Sequence, residues 1–304
     1  MLPFEVTVLG CSSATPTSDR HPSAQVLNVH GRLFLIDCGE AAQIQVRKYG
    51  IRLQKISQVF ISHLHGDHFF GLVGLLSTMH LLGRSNELHI HAPHGLQEII
   101  EVQHKYSDTH LRFPTVFHEL DTKKETLIFD DEKLSVTTLP LLHRVPCCGF
   151  LFREKPRPRN INREKLEEYK IPLAYINLVK SGEDYTDENG KVIPNKELTL
   201  DPPPPRSYAY CSDTAYNEAL VERIRGADLL YHEATFTEDM RERAKETLHS
   251  TAKDAATIAM KATVKKLLIG HYSARYNELW PLLEEAQKTF PGATLAEEGK
   301  TYLV

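Results

Sequence analysis

The chain has 304 residues, 41% of them hydrophobic and 25% charged, enough for one large α/β domain or two smaller ones. A formal net charge of −4 excludes the global basicity of a protein that coats nucleic acid, so RNA affinity has to come from local patches. No apolar run approaches the roughly 18 residues of a membrane span, the start Met1-Leu2-Pro3-Phe4-Glu5-Val6 lacks a signal-peptide pattern, and the five cysteines lack zinc-finger spacing, which together suggest a cytoplasmic protein with reduced thiols.

Leu33-Phe34-Leu35-Ile36 reads as a buried strand ending at Asp37, and Glu40 to Tyr49 as a helix closed by Gly50. Gln58 to Ser62 is an apolar β-type run that delivers His63-Leu64-His65-Gly66-Asp67-His68, and an apolar helix-like run from Phe69 to Leu82 follows. Leu88 to His91 is a short strand stopped at Pro93, and Leu134 to Leu142 is a longer one that brings His143 to its end. The stretch from Phe152 to Arg206 has another character. It holds few large aliphatics, a basic run (Arg153, Lys155, Arg157, Arg159, Arg163, Lys165), an expected hairpin tip at Asp187-Glu188-Asn189-Gly190 and a stiff Pro202 to Pro205 strut. We read it as an arm inserted into the core. Beyond it, strands Ser207 to Ser212, Leu229 to Tyr231 and Lys266 to Ile269 end at Asp213, at His232 and Glu233, and at His271, with a helix from Glu218 to Arg225 between the first two. Polar groups thus recur at strand C-terminal ends, the edge on which layered α/β folds build sites.

The turn His63 to His68 is the most informative segment. Neutral imidazole suits zinc, a carboxylate adds charge and a hard oxygen, and alternate residues diverge from the loop. His63 and His65 suit one metal, Asp67 and His68 a second. His143, Asp213 and His271 are the candidate distant ligands, and Asp213 is the natural bridge because a carboxylate offers one oxygen to each ion.

The order His63-x-His65-x-Asp67-His68, His143, Ser212-Asp213-Thr214 and Gly270-His271-Tyr272-Ser273-Ala274-Arg275-Tyr276, with His232-Glu233-Ala234-Thr235-Phe236 and His249-Ser250-Thr251, resembles the ribonuclease Z branch of the metallo-β-lactamase superfamily. Val8 to Pro16 and Leu35 to Gly39 match as well, so the resemblance spans nearly the whole chain. It implies an α/β fold, the four-layer αβ/βα sandwich of metallo-β-lactamases over residues 1–304, with a protruding tRNA-binding arm at 152–206. It implies two Zn2+ per subunit and endonucleolytic removal of the 3′ trailer from precursor tRNA, leaving a 3′-hydroxyl. The family form is a homodimer in which one subunit's arm grips the tRNA cut by the other. On chemical grounds we expect Asp67 to bind metal and handle the nucleophile's proton, His249 to be the general acid oriented by Glu233, and Asp37 to steady the ligand turn by hydrogen bonds. Ser250 and Thr251, opening a helix, are expected to bind a substrate phosphate through free N–H groups, and Arg20, Arg157, Arg159 and Arg275 to contact phosphates. Two segments depart from the family pattern: Ile171 to Asn177 lacks the Gly-Pro pair of the arm, and Pro16 to His21 keeps only Pro16 and Arg20 of its loop. The alternative enzyme is a zinc phosphodiesterase acting on cyclic nucleotides or other small phosphodiesters. The arm argues against it, since a small substrate needs no remote grip. A catalytically silent scaffold is disfavoured by the full ligand set.

Overall fold

In the computed structural model, which describes residues 2–304, the chain forms two compact units. One takes the chain up to Asp130 with Val136–Phe152 and Arg206–Val304; the other takes Asp131–Ser135 and Arg153–Pro205.

The larger unit is built on two seven-stranded sheets. The first runs Thr301–Leu303, Phe4–Gly10, Ala24–Val29, Arg32–Cys38, Ile56–Phe60, Leu88–Pro93, Thr115–Leu120 in spatial order. It is antiparallel as far as Arg32–Cys38 and parallel beyond. The second runs Ala293–Leu295, Leu267–Gly270, Leu229–Glu233, Ser207–Cys211, Cys148–Glu154, Leu134–Pro140, Leu127–Asp130, and its first four strands are parallel. Rings from the two sheets meet between them, with Phe34 6.3 Å from Phe152 and Phe60 5.4 Å from Phe150. Apolar helices cover the outer face of the first sheet. On Gly71–Leu81, Leu72, Leu75, Leu76 and Met79 recur at helical spacing and join one buried cluster with Leu35, Val59 and Ile90. Strands buried on both faces need continuous apolar runs, which is why Leu33 to Ile36 and Leu267 to Ile269 read so clearly. On the second sheet the helix Ala252–Lys261 packs against Leu229–Glu233 and Leu267–Gly270.

The expected helix from Phe69 to Leu82 is in fact two, Gly66–Phe69 and Gly71–Leu81, with Phe70 exposed between them. The chain passes hard against the end of the strand Arg32–Cys38 here. A Cβ on Gly71 would lie 2.0 Å from the Gly39 carbonyl oxygen, and one on Gly39 2.5 Å from that of Asp67. Glycine at both positions therefore clamps the ligand turn to the strand end. The expected helix Glu218 to Arg225 is reduced to Leu220–Arg223.

The smaller unit is folded rather than a solvated linker. Ile171, Val179, Tyr185, Ile193 and Leu198 form a buried cluster of its own, with Ile161, Leu166 and Tyr169 against it. Tyr185–Thr186 and Val192–Ile193 pair as an antiparallel hairpin, with Gly190 at φ 79° in its turn. Residues 131–135 join this unit through the Lys155 N–H donated to the Lys133 carbonyl at 2.9 Å. Among the described residues no helix is long and apolar enough to cross a membrane.

Candidate metal centre

The ligand candidates converge from strand ends of both sheets. His63, His65, His143 and Asp213 form one group whose donor atoms all lie within 4.8 Å of one another; Asp67, His68 and His271 form a second. Asp213 stands between them. Its Oδ2 is 3.6 Å from His63 Nε2 and 3.7 Å from His143 Nε2, whereas its Oδ1 is 3.2 Å from the Nε2 atoms of both His68 and His271. One carboxylate oxygen thus faces each group.

The outward nitrogens fix which atoms point inward. Ser62 Oγ donates to Asp37 Oδ2, so it accepts from His63 Nδ1 at 3.1 Å. His68 Nδ1 donates to Asp37 at 2.8 Å, His143 Nδ1 to the Leu248 carbonyl at 3.1 Å, and His271 Nδ1 to Thr235 Oγ1 at 2.9 Å. With Nδ1 protonated in each, the Nε2 lone pairs of His63, His68, His143 and His271 aim into the cluster. His65 brings its Nδ1 instead, 3.0 Å from His63 Nε2 and 3.2 Å from His143 Nε2. Burial holds the imidazoles of His63, His65 and His143 below their ordinary pKa, favouring the neutral, ligating form. Burial would raise the carboxyls, yet neighbouring imidazoles, His68 on Asp67 and His271 on Asp213, hold both well below the usual range. Burial also opposes a charge on His68, but the carboxylates of Asp213, Asp67 and Asp37 outweigh it and raise its pKa. Buried lone pairs and anionic oxygens facing one another call for positive charge at their centre. The orphaned, buried Nε2 of His68 marks the same need. The donor set of imidazoles and carboxylates fits transition-metal cations of the zinc type.

Left-handed backbone recurs at this edge. Asp37, Asp213 and His271 all adopt left-handed φ values of 54°, 59° and 59°, and Leu248, next to His249, one of 55°. Asp37, fully buried, accepts from the Ser62 N–H at 2.7 Å, Ser62 Oγ at 2.9 Å, His68 Nδ1 at 2.8 Å and Tyr210 Oη at 2.7 Å.

His249 lies beside the cluster, its ring 5.1 Å from that of His143 and 5.4 Å from that of His271. Its Nδ1 donates to Glu233 Oε1 at 2.9 Å, leaving Nε2 free to meet a substrate. Burial would lower its pKa, but Glu233, with Asp213 and Asp67 behind it, more than compensates and lifts it to about 9. Glu233 is itself fully buried and accepts from the Thr214 and Ser250 N–H groups and from Thr235 Oγ1.

Two expectations need correction. Ser250 and Thr251 are fully buried, and no free N–H remains at that helix start: Ser250 N donates to Glu233, Thr251 N to Asp254, Ala252 N to the Phe236 carbonyl and Lys253 N to Glu285. The cap is consumed by the fold, so these residues do not cradle a phosphate. Nor do Arg157 and Arg159 stand free, since each already carries a carboxylate partner. Arg157 pairs with Glu154 at 2.9 Å and Arg159 with Asp201, both inside the smaller unit. That unit instead exposes Arg163, Lys170 and Lys180 around a hollow of about 800 Å3 lined by Leu166, Ile171 and Leu173. Arg20 donates to the Tyr276 carbonyl at 2.7 Å, pinning its loop, and the exposed Arg275 guanidinium lies 5.1 Å from the ring of Phe236, itself 6.3 Å from the His249 ring. Sequence reasoning missed Tyr210, Ser62, Thr235 and the Leu248 carbonyl as holders of the site. Only Thr235 carried a signal, its place in the His232 to Phe236 motif.

Comparison with known proteins adds to this geometry. Residues 4–155 match the sequence family described as anti-Pycsar protein Apyc1. The chain is 50% identical over 295 residues to ribonuclease Z of Bacteroides fragilis strain YCH46, covering 97% of each chain. It is 47% identical over 298 residues to ribonuclease Z of Porphyromonas gingivalis strain W83, covering 98% of each. The crystal structure of human tRNase Z, short form, superposes with a TM-score of 0.72 at 30% identity, again covering 98% of both.

Proposed function

The chain belongs to the ribonuclease Z family, and on that premise we propose that it removes the 3′ trailer from precursor tRNA by hydrolysing one phosphodiester bond, leaving a 3′-hydroxyl on the tRNA. The observation that carries this reading is Asp213 set between two groups of donors, with His249, its Nδ1 held by Glu233, beside them. His63, His65, His143 and Asp213 would hold one zinc ion, and Asp67, His68, His271 and Asp213 a second. When bound, such a pair acidifies water and neutralises charge on the phosphate. Asp67 receives the proton of the attacking water. As the bond from phosphorus to the departing 3′ oxygen breaks, His249 Nε2 gives its proton to that oxygen, while Glu233 keeps Nδ1–H in place and stabilises the imidazolium until it gives up its proton.

The arm supplies remote grip through Arg163, Lys170 and Lys180, so that binding energy far from the cut holds a large substrate in register. Dimerisation, with the arm of one subunit serving the site of the other, belongs to the same reading. The exposed stripe Ile99, Val102 and Tyr106 on the helix Leu96–Tyr106 supports it. Action in the cytoplasm belongs to the same reading.

The test is incubation with precursor tRNA labelled at its 5′ end. A single cut at the end of the acceptor stem, a 3′-hydroxyl product and loss of activity with a chelator are expected. Intact precursor together with rapid hydrolysis of a cyclic nucleotide would replace this reading with the small-ester one.

A further inference from the structure

A cavity of about 440 Å3 opens beside His249, lined among others by Ala215, Tyr216, Ala244, Lys245 and Thr257. Its size is that of a small-molecule site. We propose that it is the subsite for the last nucleoside of the tRNA body, the one that bears the departing 3′ oxygen, and that Tyr216 is its stacking platform. The proposal rests on the tRNA-trimming reading and names what part of that substrate lies where.

Direction follows from the chemistry of the acid. In an in-line displacement the attacking and departing oxygens occupy opposite apices of phosphorus. His249 has one nitrogen to offer, since Nδ1 is held by Glu233. Nε2 must come within about 3 Å of the departing oxygen to protonate it. The ribose that carries this oxygen therefore rests against His249, and its base needs room next to the imidazole. The cavity that His249 itself lines provides it.

Tyr216 is suited to receive that base. Its hydroxyl is held by Glu218 and by Lys261 Nζ, the latter at 3.0 Å. The same ammonium is 5.7 Å from the ring centroid, so it lies off the end of the ring beyond the hydroxyl rather than over a face, and the half-buried ring borders the cavity. A ring already fixed in place loses little freedom when a base stacks on it. Every base has a π-face, so such a platform accepts all four and suits an enzyme that must process many tRNAs. Lys245 borders the same cavity, and its pair with Glu242, both side chains exposed, is easily exchanged for a phosphate. Arg241, held between Glu238 and Asp254, is not available in this way.

The experiment is a double-mutant cycle between protein and RNA. Wild type and Tyr216→Ala are each assayed on precursor tRNA and on the same RNA lacking the base of its last tRNA nucleotide, with KM and kcat measured separately. Wild type should lose about tenfold in kcat/KM on the abasic substrate, the usual worth of one base stack. Tyr216→Ala should lose as much on the intact RNA and almost nothing further on the abasic one, while Tyr216→Phe restores the wild-type pattern. Additive losses, or a wild type indifferent to the missing base, overturn the subsite while leaving the trimming activity standing. If wild type leaves the intact precursor uncut, the functional reading falls and takes the subsite with it.

Discussion

Asp37→Asn should empty half of the metal centre, and the reason is a tautomer. The aspartate offers two oxygens to four donors at 2.7 to 2.9 Å. Asparagine must keep its oxygen toward the Ser62 N–H, which places the amide nitrogen where Oδ2 stood. The hydroxyls of Ser62 and Tyr210 can rotate and accept. His68 cannot: to face a donor its Nδ1 must become the lone-pair nitrogen, which moves the proton to Nε2 and blocks the atom that points at Asp67, Asp213 and the second metal. Hydrogen bonds to a charged group contribute about 1.5–3 kcal/mol each, and with the three at Oδ2 exchanged for weaker neutral ones or lost the metal-free protein should lose about 2–5 kcal/mol. Urea unfolding of the metal-free protein reads that loss. Metal analysis after desalting should find one ion per chain, retained by His63, His65, His143 and Asp213. Nitrogen NMR should show the His68 proton shifted to Nε2. A variant with two ions per chain and His68 still protonated on Nδ1 would refute the reasoning.

Three further outcomes follow from the same structure. His249→Ala should retain its metals but slow tRNA cleavage by about two to four orders of magnitude, with a smaller loss on a nitrophenyl phosphodiester whose leaving group needs no proton; equal losses on both would remove the acid role. His91, stacked 4.6 Å from Phe60 and 4.5 Å from His118, is held down to about 3 by burial and by the imidazoles of His118 and His89. Its folded pKa lies below the unfolded value of about 6.5, so the unfolded chain takes up the proton first and stability drains away as pH falls below about 6.5, by about 2 kcal/mol at pH 5. His91→Phe should flatten that slope in urea unfolding at pH 5 to 7, and parallel slopes would contradict it. Replacing Lys155 to Pro203 by a short Gly/Ser linker should spare hydrolysis of a small phosphodiester, because the ligands all lie in the other unit, while cleavage of precursor tRNA falls severely. Loss of both together would show the core depends on the segment.

What the sequence made legible was whatever is short-range or ends an apolar run. His63 to His68 sit within one turn, and Asp213 and His271 follow strands whose burial on both faces leaves an unbroken hydrophobic signature. Tyr210 was invisible because its partner Asp37 is 173 residues away, and nothing local distinguishes a tyrosine that bonds a carboxylate from one that merely packs. Ser250 and Thr251 misled for the opposite reason. Their local pattern is a true helix start, but whether its N–H groups stay free depends on Glu233, Phe236 and Glu285, which tertiary packing brings there. The basic run from Arg153 to Lys165 misled similarly, since charge in a sequence does not show that Glu154 and Asp201 already neutralise Arg157 and Arg159.

The left-handed backbone at Asp37, Asp213 and His271 bears on how this chain changes over generations. At each position glycine would adopt the same φ with no Cβ penalty, a relief of about 1 kcal/mol, and would delete a metal ligand or its anchor in the same step. Backbone conformation and chemistry therefore pull in opposite directions at Asp213 and His271, whereas at Asp37 the four hydrogen bonds to its carboxylate outweigh the backbone relief. A duplicate released from the need to cut RNA would gain by shedding Asp213 and His271. Glycine at 213 or 271 in an otherwise recognisable relative would thus be the mark of a copy that has kept the sandwich and abandoned catalysis.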